Sequence, residues 1–280
     1  MKLGLGTYAY AWAIGVPGYP APEQLMDALA FVRRAASLGL YLVQIADNIP
    51  LHTLANLDEL VDETRRLGIE VEVGTQGIDP EHLRAYIEIA RRFRSRILRV
   101  VVDTKTHHPP PEEVVETLRA LIPEFERERL TLAIENHDRF KAQTLADIVE
   151  QIGSRYAGIC LDTVNSFGAL EGPDVVAETL GPYVVNLHVK EFLVRRADHN
   201  MGFTVEGRPA GQGMLDVPWL IEKLKRFGRD FNAIIELWPA PEATMAETIR
   251  KENEWVAASV AYLKGLIPVQ PPPQVQARGV

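Results

Sequence analysis

Glu135, Asp162, His188 and Glu236 each stand at the end of a short apolar run. Glu135 closes Leu130–Ile134 and is followed by Asn136, His137 and Asp138; Asp162 closes Gly158–Leu161; His188 closes Val184–Leu187; Glu236 follows Ala233–Ile235. A run that merely met solvent could finish with Gly, Ser or Lys. Singly, such residues have ordinary explanations: a carboxylate at a strand end caps a helix or pairs with a base, and a lone strand histidine is a satisfied core residue. Together they are different. Three carboxylates and one imidazole converging on one mouth would repel one another if left unpaired, and a divalent cation removes that cost. Oxygen-rich ligation with one nitrogen suits one divalent ion, Mn²⁺ first, then Mg²⁺ or Co²⁺, with Zn²⁺ also compatible.

Positioning them requires a particular architecture. Eight Val/Ile/Leu-rich runs recur at Lys2–Leu5, Tyr41–Ile45, Ile69–Val73, Ile97–Val102, Leu130–Ile134, Ala157–Leu161, Tyr183–His188 and Phe231–Leu237. Most are continuous rather than alternating, as parallel strands covered on both faces are. Amphipathic helical patterns lie between them, at 23–38, 57–67, 80–93, 111–127, 145–152, 174–180, 217–227 and 242–263, with Gly39, Gly68, Gly153 and Gly228 at the expected C-termini. Eight strands alternating with eight helices predict an α/β fold, a single (β/α)8 TIM barrel over 1–267. The last repeat is longer than the others. The excess gives a long loop after strand 7, between Glu191 and Leu215, on the face where barrels carry function. The Pro-rich C-terminal tail, 268–280, reads as extended or disordered.

Barrel enzymes place catalytic groups at the C-terminal ends of their strands. The third run ends in Gly74-Thr75-Gln76 and offers no anionic ligand there. On an extended chain Glu135 and His137 share one face, as do His188 and Lys190. Lys190 suits a substrate oxygen or anionic group, or else a rim carboxylate. Trp12, beside the loop Gly15-Val16-Pro17-Gly18, suits the wall of a sugar pocket. Tyr8 and Tyr10 fit core packing as well as a pocket; His52, His107 and His108 read as surface loop. Gly211-Gln212-Gly213 would let backbone approach a ligand, or is only a turn before the next helix.

Composition bounds the rest. Hydrophobic residues are 46% and charged residues 24%, enough for a sizeable core, and the net charge of −8 argues against nucleic acid or an anionic membrane as partner. The single cysteine, Cys160, excludes an internal disulfide and reads as a small buried hydrophobe, which suits a reducing compartment. The N-terminus does not read as a signal peptide and no apolar run approaches a membrane span, so the expectation is a cytoplasmic protein.

Five stretches, "LAIENHD", "AGICLDTVNSFGAL", "VVNLHVKEF", "GQGMLD" and "AIIELW", with "LGLGTYAYAW" at the start, carry a resemblance across nearly the whole chain. In this order the chain resembles the xylose-isomerase-like barrel superfamily, in particular its sugar phosphate isomerase/epimerase group. The resemblance implies Glu135, Asp162, His188 and Glu236 as metal ligands, with Glu135 and Glu236 also moving the substrate's proton on opposite sides. It implies a sugar or sugar derivative as substrate, a metal-stabilised enediolate as intermediate, and a homo-oligomer. Two positions depart from the group: Asn165 stands where a histidine is frequent, and Arg195, with Arg196 next, is the nearest match to an arginine that follows the strand-seven histidine. With Trp12, His137 and Lys190, both are expected to contact substrate.

The expectation is therefore a metal-dependent sugar isomerase/epimerase. A dehydratase acting on a polyol or keto-sugar uses the same ligands. An abasic-site endonuclease of the same superfamily would need further histidines, and has one where Asn165 stands here. A non-catalytic sugar-binding barrel has no need of three facing carboxylates.

Overall fold

The computed structural model describes residues 1–269, so most of the 268–280 tail lies outside the described residues. Eight parallel strands close into a barrel: β1 (Leu3–Gly6), β2 (Leu42–Ile45), β3 (Glu70–Gln76), β4 (Ile97–Val101), β5 (Thr131–Glu135), β6 (Ala157–Asp162), β7 (Val184–Val189) and, after the hairpin strands β8 (Glu191–Arg196) and β9 (Phe203–Arg208), β10 (Asn232–Ile235). Strand β10 closes the ring between β7 and β1. The short α1 (Ala11–Ile14) follows β1. The outer helices are α2 (Ala28–Ser37), α3 (Leu57–Leu67), α4 (Pro80–Phe93), α5 (Pro111–Glu128), α6 (Ala142–Ile152), α7 (Pro173–Leu180), α8 (Val217–Lys225) and α9 (Met245–Lys264). The expected (β/α)8 barrel is thus observed.

Boundaries follow capping chemistry. Helices α3 and α4 begin and end where the apolar periodicity does. Helix α2 starts five residues later than its periodicity suggests, because Asp27 accepts the Ala30 amide and makes the N-cap. Helix α9 likewise starts at Met245, where Thr244 and Glu247 form a reciprocal capping box. Gly68, at φ 65°, ends α3 in the left-handed conformation that a side chain would strain.

The loop expected after the seventh strand is instead largely an antiparallel hairpin, β8 against β9, in register from Glu191–Arg208 to Arg196–Phe203. Its root is organised by Glu191, a buried carboxylate that accepts the Phe192, Gly211 and Leu215 amides. The glycines 211 and 213 therefore serve the protein's own backbone: a Cβ on Gly213 would stand 2.2 Å from the Phe192 carbonyl oxygen.

The turn after β1 is fixed by another buried carboxylate. Glu252 on α9 accepts the Trp12 and Ala13 amides at 2.8 and 3.0 Å, capping α1. Burial pushes the Glu252 carboxyl up to about 7, the two amides opposing it only in part. The folded state thus holds this proton more tightly than the unfolded chain does. That contribution is full below the ordinary carboxylate pKa and is lost as pH rises through about 7. Compared with Glu252→Gln, wild type should lose on the order of 3 kcal/mol across this window. Urea unfolding of both proteins from pH 4.5 to 8 measures it, and parallel curves would refute it.

Candidate metal centre

At the C-terminal end of the barrel four side chains meet. His188 Nδ1 lies 3.6 Å from Glu135 Oε2, 3.7 Å from Asp162 Oδ2 and 3.4 Å from Glu236 Oε1. The strand register explains the convergence. Asp162 and His188 are cross-strand partners on β6 and β7, while Glu135 pairs beside Cys160 on β6. Glu236, one residue past β10, is tied to β7 through its amide and the Val189 carbonyl. All four are at most 2% exposed.

The outward atoms of this set are held by hydrogen bonds, and the inward ones meet only ion-pair partners or one another. Asp162 Oδ1 accepts the Val164 and Asn165 amides, both at 2.8 Å. Glu135 Oε1 accepts Asn165 Nδ2 at 2.8 Å. His188 Nε2 is 2.7 Å from Gln44 Oε1, so Nε2 carries the proton it donates there. Glu135 Oε2, Asp162 Oδ2, His188 Nδ1 and both Glu236 oxygens are buried without a directed hydrogen bond. Buried polar atoms are rarely left so, and five in one place fit a cation. Asn136 explains part of the geometry: its amide accepts the Asp162 N–H at 2.7 Å and donates to the Asp162 carbonyl at 2.9 Å, locking the ends of β5 and β6 together.

Charge points the same way. Arg99 Nε pairs with Glu135 Oε2, and Arg99 Nη1 pairs with Asp47 at 2.8 Å. Lys190 Nζ lies 2.8 Å from Asp162 Oδ2 and 3.0 Å from Glu236 Oε2. Four carboxylates (Glu135, Asp162, Glu236, Asp47) thus face two fixed cations (Arg99, Lys190), and a dication would balance them. Burial alone would raise the Glu135 carboxyl, but the Arg99 charge, with His188 and Lys190, holds it below the usual carboxylate range. Burial likewise opposes charge on the His188 ring, yet the surrounding acidic groups push it well above its ordinary value. The field that favours a proton on this ring also favours a metal ion in its place.

Asp162, His188 and Glu236 form one buried group able to hold a metal ion; Glu135, Cys160 and His188 form an overlapping one. Burial pushes the Cys160 thiol up to about 12, and it donates to Asn186 Oδ1. Cys160 therefore behaves as the buried residue its sequence context suggested.

Above the centre lies a cavity of about 380 Å³ whose lining includes Tyr8, Asp47, Arg99, Glu135, Asn165 and Lys190. Asn165 and Lys190, two of the residues expected to contact substrate, are among its lining residues. His137 also lines it, but β5 ends at Glu135, so the strand parity does not continue; His137 Nδ1 lies 3.5 Å from Asp138 Oδ2. Two residues expected to contact substrate are held by the protein's own groups. Trp12 does not line this cavity: its indole donates to the Pro239 carbonyl at 2.9 Å and packs edge-on to Tyr19, because Glu252 pulls its turn against α9. Arg195 lies on β8 and pairs with Asp198 and Glu206, both at 2.9 Å, so the hairpin absorbs its charge. A second cavity of about 410 Å³, lined by His52, His82 and Tyr86, adjoins the first at Asp47, Gln76 and Thr104.

Arg99, Asp47 and Gln44 went unrecognised in the sequence. A signal existed for two of them. Arg99 interrupts Ile97–Val102 and Gln44 interrupts Tyr41–Ile45, and a polar residue within a doubly covered strand needs a partner.

The fold and this site define a class. The chain belongs to the xylose isomerase-like TIM barrel family, whose model matches residues 32–265. Among named relatives, it is 35% identical over 265 residues to the 3-oxo-isoapionate decarboxylase of Pectobacterium atrosepticum, covering 94% of this chain and 95% of that one. Its barrel superposes on D-psicose 3-epimerase with D-tagatose from Clostridium cellulolyticum H10 at TM-score 0.69 and 17% identity, covering 96% of this chain and 100% of that one. A xylose isomerase-like TIM barrel protein from Mycobacterium smegmatis in complex with magnesium matches at TM-score 0.64 and 13% identity, over 94% and 97% of the two chains. The named relatives are sugar-processing enzymes. No helix among the described residues is long and apolar enough to cross a membrane.

Proposed function

We propose that the chain is a divalent-metal-dependent decarboxylase of a 3-oxo sugar acid, with Glu135, Asp162, His188 and Glu236 holding the cation. The observation that carries this choice over epimerisation is an asymmetry between the two glutamates. Epimerisation needs a proton-transferring group on each face of the substrate. Glu135 is engaged at both oxygens, by the Asn165 amide at Oε1 and the Arg99 guanidinium at Oε2, whereas Glu236 meets a fixed cation at Oε2 alone, with only His188 Nδ1 at 3.4 Å from Oε1. Loss of CO₂ needs one proton donor, not two. The 35% identity to a decarboxylase over nearly the whole chain supports the same reading.

A divalent cation bound here supplies a Lewis acid that stabilises negative charge on the substrate's keto oxygen. The chain's own residues do the rest. The bond between the carboxyl carbon and the α-carbon breaks, its electron pair passes into the adjacent carbonyl to give an enolate, and CO₂ leaves. The Lys190 ammonium, 3.0 Å from Glu236 Oε2, gives up a proton that Glu236 relays to the α-carbon, and solvent then reprotonates the lysine. Arg99 lines the cavity, and its Nη2 makes no hydrogen bond among the described residues, leaving a donor for a substrate oxygen. Glu135 remains a ligand and a fixed charge.

The test is incubation of Mn²⁺-loaded protein with 3-oxo sugar acids and, separately, with neutral ketoses, in deuterated water. CO₂ release with one deuterium at the former α-carbon is the expected result. Deuterium exchange into neutral ketoses, with no CO₂ from any keto acid, would return the function to an isomerase or epimerase.

A further inference from the structure

Beneath the metal centre the barrel floor holds a carboxylate that the chemistry above does not use. Glu72, on β3, is 3% exposed and has no lysine or arginine within ion-pair distance among the described residues. Barrel interiors are ordinarily filled by branched apolar side chains, and a buried carboxylate without a countercharge is costly. Burial works to raise the Glu72 carboxyl, and three amide N–H groups oppose it. Such a group needs a purpose.

The hydrogen bonds show one, and their directions can be assigned from a fixed starting point. The Lys2 backbone N–H can only donate, and it donates to Asn232 Oδ1 at 3.0 Å. Asn232 Nδ2 must then face Glu72 Oε1, which it does at 2.7 Å. Glu72 Oε2 accepts Asn186 Nδ2 at 2.7 Å and Gln44 Nε2 at 3.2 Å. The other Gln44 N–H goes to Asn186 Oδ1 at 3.1 Å. Both Gln44 donors are therefore directed away from His188, and only its carbonyl oxygen is left to meet His188 Nε2, at 2.7 Å. An amide turned the other way would present N–H to Nε2 and drive the ring proton to Nδ1, where it would block a ligand bond.

We propose that Glu72 is a positioning residue for the metal centre: by orienting the Gln44 amide it keeps the His188 proton on Nε2 and reserves Nδ1 for the cation. The inference rests on His188 being a ligand and is independent of which reaction follows. Partners of this kind ordinarily tune metal affinity by about 10- to 100-fold.

The test is a double-mutant cycle on the full-length chain, with Mn²⁺ affinity read by electron paramagnetic resonance. Glu72→Met and Gln44→Met should each weaken Mn²⁺ binding by roughly 10- to 100-fold. Because Glu72 acts through Gln44, the double variant should bind no more than about threefold more weakly than Gln44→Met alone. A folded Glu72→Met that binds Mn²⁺ as wild type does overturns the inference while leaving the metal site intact. So do losses that multiply in the double variant. A wild-type chain that binds no Mn²⁺ overturns the inference and the metal site together. Should Glu72→Met fail to fold, ¹⁵N-histidine spectra of the Mg²⁺-loaded wild type decide the matter: a proton on Nε2 of His188 supports the inference, and one on Nδ1 overturns it.

Discussion

Replacing Glu236 by glutamine is expected to lower kcat by about 10³-fold, within the range general acid–base groups supply. The exchange is nearly isosteric, so the barrel should keep its shape. It removes the carboxylate paired with Lys190 at 3.0 Å and leaves an amide 3.4 Å from His188 Nδ1. Two consequences separate at high metal concentration. Loss of a ligand is offset by excess Mn²⁺; loss of the proton donor is not. We therefore expect most of the deficit to persist at saturating Mn²⁺, measured as CO₂ release under single-turnover conditions. Turnover within tenfold of wild type would remove Glu236 from the chemistry.

The second large effect concerns Arg99. At 3% exposed it bridges Glu135 and Asp47 across the barrel wall, with the Tyr8 ring 6.0 Å from its guanidinium carbon and the Tyr8 hydroxyl donating to Asp47 at 2.9 Å. Arg99→Met keeps the stem and removes the charge, so buried carboxylates lose their partner. Breaking a buried pair on one side costs about 3–5 kcal/mol, which for a domain of this size lowers Tm by roughly 10 °C. The sign with pH follows from Glu135, whose carboxyl Arg99 holds below the usual range. Its contribution is present above the ordinary carboxylate pKa and fades as pH falls through the lower folded value, so the deficit of Arg99→Met should shrink in acid. Added Mn²⁺ should also restore part of the lost stability, since a cation on Glu135 replaces some of the missing charge. Calorimetry with and without Mn²⁺ checks both. A variant as stable as wild type in the absence of metal would show that Arg99 is dispensable to the barrel wall.

Much of this molecule is written locally. Continuous Val/Ile/Leu runs marked parallel strands because burial on both faces leaves no polar alternation, and helical periodicity placed α3 and α4 to the residue. Glu135, Asp162, His188 and Glu236 were visible because each ends such a run, where the barrel geometry delivers side chains to one mouth. Where a helix start depended on a cap, as at Asp27 and Thr244, periodicity overshot, since amphipathic spacing continues past the point where the backbone N–H groups find their acceptor.

The closure of the barrel decided the rest. Gln44 and His188 are 144 residues apart in sequence, and nothing near either one foretells the 2.7 Å contact that fixes the imidazole. Arg99 announced an unmet need in a buried strand, but its partners lie on β5 and after β2, so only the ring of strands names them. Trp12 and Arg195 went the other way. Their loops looked free to reach a substrate, and a carboxylate on α9 and the pairing of β8 with β9 drew them elsewhere. Residue type and spacing thus determined which groups could bind a cation. Which atoms of those groups remain free to do so was set by long-range hydrogen bonds, because a lone pair is available only when nothing distant in sequence has already claimed it.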